Sequence, residues 1–302
     1  EVGNRLPAFD LPAWQKLINA HGMKVLREIG HAPNIQEPKT LIELEEAVKQ
    51  FRYKRAGEHP DLAELCFKYK VAEARFNRAL DLFNNGAIRP KTRDNLPDIA
   101  IDIAKVAGAE SRQNHYLLKL PAGDLRGLIL GDITACCQSV GGHSEMVAID
   151  GSNLADNGFY VLVKSKQPID IVQYHSDSEY YKGFWENLEE RGHKIIGQGY
   201  AWKSQSGNLV LDSWENLNPQ SDDPWMNDIL TRFAQVIMSQ DPSINRVAIG
   251  LGGKTPQTFQ NTQLATREYM LEGRDYGDAK NQALIADSEE LIRRQNELQQ
   301  RL

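Results

Sequence analysis

The residues with the greatest capacity for chemistry crowd into Leu130–Glu145, LGDITACCQSVGGHSE, where two adjacent cysteines, a glycine pair, a histidine and two acids share sixteen positions. Three chemistries compete for this stretch. Cys136, Cys137 and His143 are soft metal ligands, but neighbouring cysteines with no C-x-x-C pair downstream fail the spacing of a structural zinc site, so no metal is expected. A thiolate nucleophile needs a base and the base needs an orienter. Cys136 or Cys137 with His143, His175 or His193, and with Asp212 behind the imidazole, would make a cysteine-dependent hydrolase. The third reading is structural and is preferred: Ala135, Cys136, Cys137 and Ser139 are small residues that fill a core. Asp132 or Thr134 would then cap a short helix running through the cysteines. That reading predicts two buried, unreactive thiols.

A second group of acids lies in NLVLDSWEN, residues 208–216. Asp212 and Glu215 sit on a β-rich stretch, and their odd spacing predicts opposite faces of a strand. Of the two, Glu215 at the strand's end is the one preferred to face a cleft, since strand ends meet solvent-accessible grooves more often than strand middles do. Gln198, Tyr200 and Trp202 on the preceding strand are expected to wall a groove beside it. Gly250 and Gly252, candidates for substrate binding, open GLGGKTP, a turn after another strand, where Lys254 could meet a phosphate. The turn fits neither a P-loop nor a dinucleotide fingerprint and is read as a chain reversal.

The elements that must hold these groups divide the chain into three segments. Residues 1–116 read as helical: helices are expected from Asp10, from Thr40, and over Asp61–Gly86, with Cys66 on the apolar stripe of the last and Gly86 as its stop. Residues 117–265 carry short β-branched and aromatic runs bounded by Gly, Asn and Ser, namely GFYVLVKS, KIIGQGYAWKS, NLVLDSWEN and NRVAIGLGG. SQSGN predicts a hairpin between the second and third runs. The helical pattern from Pro224 to Gln240 predicts that the last two strands are parallel. An insertion at 168–192 is partly helical. Residues 266–302 are charged, with leucines seven apart, and are expected to be helical. The fold class is α/β (α+β), with a helical N-terminal region before a mixed, mainly antiparallel sheet.

The composition is that of a globular chain of 302 residues with a net charge of −6. That charge excludes a broad nucleic-acid-tracking surface. No run of about 18 apolar residues is present to span a membrane. Glu1 stands where an initiator Met would, which fits a segment of a longer or processed chain, and its first residues contain no signal-type apolar run. Three cysteines are not a disulfide framework, so a reducing, cytoplasmic setting is expected, with secretion into a host cell as the alternative.

Taken together, LGDITACCQSVGG, GFYVLV, IIGQGYAWKSQSGNLVLDSWEN and VAIGLGG resemble the core of the GNAT family of N-acetyltransferases, and within it a set of bacterial and phage proteins with a G-x-x-T-x-C-C segment. The resemblance covers about 117–253. It implies a meander ending in a central strand at Leu209–Trp214, a helix, and a next strand that splays away to admit acetyl-CoA. It also implies Glu215 as catalytic base and a tyrosine near the chain's end, Tyr269 or Tyr276, as a proton donor to the leaving thiolate. The loop NLNPQSDDPWMND departs from the family pattern. It has no glycine and no basic residue, and Asp222 and Asp223 would meet the diphosphate with negative charge at a helix N-terminus. The resemblance therefore implies an acyltransferase-like protein acting on an amine or hydroxyl of an unidentified acceptor, which could be a protein. The alternative is a non-catalytic binding module of a larger bacterial effector, presenting Tyr174, Tyr180, Tyr181, Phe184 and Trp185 to a protein partner.

Overall fold

The computed structural model describes residues 45, 47–48, 53–107, 113–204, 206–217, 224–256, 264–265, 274 and 276–289. The expected helices from Asp10 and Thr40, and the loop 218–223, lie outside these residues or almost wholly so. The chain divides into two compact units, Glu1–Ala87 and Ile88–Leu302.

In the first unit the helix expected over Asp61–Gly86 is two helices, α1 (Pro60–Lys68) and α2 (Glu73–Asn84). The break falls at Lys70, whose φ is 57°. The Val71 N–H returns to the Cys66 carbonyl at 2.8 Å and that of Lys70 to Phe67 at 3.2 Å, the paired bonds of a left-handed helix stop. Periodicity carries straight through this stop, because the residues on both sides still face one core. Cys66 is buried among them, and Gly86 closes α2 in the same way.

The second unit is built on one mixed sheet. Its strands are β1 (Ala100–Asp102), β2 (His115–Lys119), β3 (Asn157–Lys164), β4 (Lys194–Lys203), β5 (Leu209–Leu211), β6 (Glu215–Asn216), β7 (Arg246–Gly250), β8 (Leu264–Ala265) and β9 (Gln282–Asp287). They lie in the order β1-β2-β3-β4-β5-β7-β9-β8, with β6 beside β4. The sheet thus starts at Ala100, upstream of the boundary expected at 117. Neighbours are antiparallel except β5 and β7, which run parallel with Leu209 opposite Val247 and Leu211 opposite Ile249. Parallel neighbours cannot be joined by a tight turn. The connection is α8 (Pro224–Gln240), whose Ile229, Leu230, Phe233 and Ile237 are buried in one cluster with Leu209, Leu211, Trp214, Val247 and Ile249. Tyr160 and Phe233 meet edge to face at 4.7 Å in that layer. Each such fully buried apolar side chain contributes about 1.5–3 kcal/mol.

The other side of the sheet carries α4 (Leu130–Thr134), the cysteine turn and α5 (Glu145–Asn153). A short α3 (Ile103–Ala107) follows β1. The insertion forms α6 (Ile171–Ser176) and α7 (Ser178–Glu186), capped by Asp170 and Asp177, each accepting two backbone N–H bonds. The C-terminal region corrects the expectation of a helix over 266–302: Gln282–Asp287 is strand β9, antiparallel to β7. Ala283, Leu284, Ile285 and Ala286 are a continuous apolar run, and the open edge of β7 supplies hydrogen bonds that outweigh a modest helix preference. No described helix is long and apolar enough to cross a membrane.

Candidate functional site

The cysteine turn is shaped by what surrounds it. α4 ends at Thr134, so the helix expected to run through the cysteines stops before them. Ala135 adopts a left-handed φ of 56°, and the Cys136 N–H folds back to the Gly131 carbonyl at 2.8 Å. The Ser139 hydroxyl accepts the Asp132 N–H at 3.0 Å and Gly131 N–H reaches the Gln138 carbonyl at 3.1 Å. A Cβ on Gly131 would lie 2.7 Å from the Cys136 carbonyl oxygen and 2.8 Å from Ser139 Oγ, so this close return of the chain requires glycine. The turn aims Cys136 and Gln138 at the sheet.

On the sheet, Gln198 of β4 stands directly opposite Glu215 of β6. Its Nε2 spends its two hydrogens on Thr134 Oγ1 and Cys136 Sγ, both at 3.2 Å. Thr134 holds its own proton on the Leu130 carbonyl at 2.8 Å, which leaves its oxygen to accept. The expectation that Asp212 and Glu215 occupy opposite faces is overturned. Between the Ala201–Leu211 and Gln198–Glu215 pairs, three steps along β4 oppose four on its partner, so an extra residue bulges the strand and rotates both carboxyls to one side. Gln138 Nε2 donates to Asp212 Oδ2 at 2.9 Å.

β7 closes tightly on this bulge. The strand expected to splay away does not do so: the Lys254 N–H donates to the Trp214 carbonyl at 2.8 Å, the Trp214 N–H donates to Thr255 Oγ1 at 3.0 Å, and Trp214 bridges Gly253. A Cβ on Gly250 would sit 1.7 Å from the Asp212 carbonyl oxygen and 2.5 Å from that of Asp278, and one on Gly252 would overlap the Asp278 side chain at 2.3 Å. Without a Cβ, these glycines let the strand press Asp278 towards Asp212.

The result is three buried or half-buried acids, Asp212, Glu215 and Asp278, close enough to act on one another. Burial, then the charges of Asp278 and Glu215, push Asp212 up to about 7, against the Gln138 bond that favours its anion. Its Oδ1 makes no hydrogen bond of good geometry. The Ala279 N–H, which favours the charge from close by, is committed to the Tyr276 carbonyl at 3.1 Å. Glu215 is raised above the ordinary carboxylate range by burial and Asp278, while Lys254 and Ser213 Oγ at 3.4 Å pull it back. Burial pushes the Cys136 thiol up, the Gln138 and Gln198 donors oppose this, and Glu215 adds to it. Gln198 Oε1 and Gln138 Oε1 are buried without a hydrogen-bond partner among the described residues.

The sign of the Asp212 effect can be measured. A carboxyl whose folded pKa lies above its unfolded value near 3.9 costs no stability below that value, and costs progressively more as pH rises to about 7. Asp212→Asn removes that cost. The variant's melting temperature relative to the parent is expected to climb from pH 4 to pH 8, read by thermal melts of both proteins at each pH. The comparison with the parent is needed because His193, pushed down to about 4 by burial and by Arg191, makes the folded state lose stability as pH falls from 6.5. A flat difference between variant and parent excludes the buried Asp212.

The other expected site residues are elsewhere or otherwise engaged. Cys137 is exposed, with Sγ 3.2 Å from Ser144 Oγ, and Cys136 is partly exposed, so the reading of two buried thiols is corrected. The helix ends too early to carry them inward. His143 and His175 are exposed, and His193 bonds Ser165 Oγ at 2.6 Å with its ring 4.6 Å from Phe184. Among the described residues no histidine hydrogen-bonds a thiol, and no group of three potential metal ligands is assembled. Tyr200 and Trp202 are fully buried and form no groove wall. Tyr200 Oη takes the Asn157 amide at 2.7 Å and meets Tyr276 Oη at 3.2 Å. Tyr276 in turn donates to Asp150 Oδ2, which also pairs with Arg274 at 2.9 Å. Tyr276 is thus a buried clamp, and Tyr269 lies outside the described residues. Tyr174, Phe184 and Trp185 form a small core rather than a display: Trp185 Nε1 donates to Tyr174 Oη at 2.7 Å, and Arg126 lies over the indole. Iodoacetamide on the native protein is expected to modify Cys137 first, Cys136 more slowly and Cys66 only after unfolding, followed by peptide mass mapping.

Sequence reasoning passed over Gln138 and Asp278, and took Thr134 only as a helix cap. Gln138 was visible as a polar residue directly behind the cysteines in a small-residue run. Asp278 carried no local signal. Compared with protein-family models, with curated proteins and with solved structures, the chain matches none.

Proposed function

We propose that the chain is an acyl-transfer enzyme that acylates an amine, with Glu215 as general base. The observation that carries this is the Gln198–Glu215 pair: an unpartnered, fully buried amide oxygen stands directly across the strands from a buried carboxylate of raised proton affinity. Two acceptors side by side suit the N–H bonds of an amine, one to hold and one to remove a proton. The same arrangement cannot recognise a ligand that has only acceptors. The order β4-β5-β7, with β5 and β7 joined through α8, supports the GNAT-like reading.

Acetyl-CoA seated between β5 and β7 does not fit the residues described. The Trp214 N–H and carbonyl are both taken, and Gly250 lies against the Asp212 carbonyl, so the parallel strands leave no slot for a pantetheine arm. The acyl donor is therefore placed on the face of the cysteine turn, and its class is an activated ester or thioester. Free thiols at Cys136 and Cys137 suit a reducing compartment.

The reading is tested with p-nitrophenyl acetate as donor and a small primary amine as acceptor, following the acetamide by mass spectrometry across pH 4–9. The rate is expected to rise with pH through the titration of Glu215, above the ordinary carboxylate range. Transfer that proceeds equally well in Glu215→Gln at every pH ends the proposal.

A further inference from the structure

The acid and the amide that define the proposed site lie behind a sulfur. Glu215 is 5% exposed and Gln198 is 0% exposed, whereas Cys136 is partly open to solvent. An acyl donor arriving from solvent at this face meets the thiol first. The sulfur is also the best-held atom of the turn. Gln198 Nε2 donates to it at 3.2 Å, and the Glu215 carboxylate is near enough to interact with it. The left-handed Ala135 and the glycine beneath the turn hold it there, at a cost of about 1–2 kcal/mol for the non-glycine residue alone. Beside the same sulfur the Gln198 oxygen is buried without a hydrogen-bond partner, which marks a place for a bound group.

Building on the acyl-transfer reading, we propose that Cys136 is a covalent acyl carrier, so that the acyl group rests on its sulfur as a thioester before reaching the amine. In the first half, Glu215 takes the thiol proton and the thiolate attacks the carbonyl carbon of an ester or thioester donor. The bond from that carbon to the donor's oxygen or sulfur breaks, and the leaving alcohol or thiol takes the proton back from Glu215. In the second half, the amine held at Gln198 Oε1 attacks the thioester while Glu215 accepts its proton. The carbon–sulfur bond breaks and the thiolate is reprotonated by Glu215. Donor and amine are consumed, acylamide and free alcohol or thiol are formed, and no oxidant or metal is required. The Gln198 donor favours the thiolate as leaving group, against the burial and the Glu215 charge that raise the thiol, which is why Glu215 must take its proton.

The test uses the full chain in a Cys137→Ala background, which removes acylation of the exposed neighbouring thiol. After a short exposure to p-nitrophenyl acetate without amine, intact mass and peptide mapping are expected to show one acetyl group on Cys136, released when a primary amine is added. Cys136→Ser, whose fold is checked by its melting curve, is expected to lose both the thioester and the amine acylation. If amine acylation survives in Cys136→Ser but is lost in Glu215→Gln, transfer is direct: the carrier role falls and the general-base reading stands. If the acetyl group appears only on other residues, or Glu215→Gln forms and discharges the thioester at the parent rate, the carrier mechanism as written is overturned.

Discussion

Replacing Glu215 with Gln is expected to slow amine acylation by about 10²- to 10⁴-fold, the range general-base catalysis contributes. The substitution removes one proton-accepting oxygen and keeps the side chain's size. It also removes a buried negative charge that lies near Asp212 and opposes its ionisation. The folded protein is therefore expected to melt no lower than the parent at neutral pH, so a loss of rate reports chemistry rather than unfolding. The contact with Ser213 Oγ at 3.4 Å survives in the amide, which keeps the side chain in place. Rates measured over pH 4–9 give the second signature: the rise that accompanies Glu215 titration disappears. A rate within twofold of the parent, with an unchanged pH profile, removes Glu215 from the mechanism.

Gly250→Ala is expected to be the most damaging single methyl group in the sheet. Its Cβ would be placed 1.7 Å from one backbone oxygen and 2.5 Å from another, belonging to Asp212 and Asp278. Neither is the flexible end of a side chain, so relief requires β5, β7 and the Tyr276–Asn281 segment to move apart. Overpacking of cores costs about 1–3 kcal/mol, and a clash between backbones lies at or above the upper end of that range. Urea unfolding of parent and variant would measure it. Gly277→Ala serves as the contrast, since a Cβ there meets nothing within 4 Å, and it is expected to change stability by less than about 0.5 kcal/mol. Similar losses in the two variants would mean that β7 does not pack against Asp212 in this way.

How far the fold could be read in advance depended on whether the signal was local. The runs GFYVLVKS, KIIGQGYAWKS and NRVAIGLGG became β3, β4 and β7, because β-branched residues between turn formers act within a few positions. The SQSGN turn and the parallel crossover followed from connection lengths in the same way. Lys70, Asp212 and Gln282–Asp287 defeated the same reasoning. Lys70 turns left-handed to end α1 although the apolar period continues. The bulge at Asp212 adds one residue and reverses a face assignment made by counting. β9 is a strand because β7 offers it an edge, and nothing within its own six residues says so. At the site, the place of Glu215 on a strand was legible from the β-rich run around it. Gln198 was expected beside it, but Cys136 and Asp278 were not, since they converge on it only after the chain has closed on itself.

That closure has a consequence for the order in which the protein is made. Asp150 and Tyr276, joined by a hydrogen bond, are 126 positions apart, and Asp278 belongs to the same late segment. A ribosome releases the cysteine turn and β4 well before the residues that clamp them. Until Tyr276–Asp287 emerges, β7 has an unpaired edge and Asp212 lacks the neighbouring charge of Asp278. The nascent chain thus carries the thiol and the glutamate without the electrostatic setting that tunes them, and that setting is completed only once Tyr276–Asp287 has emerged.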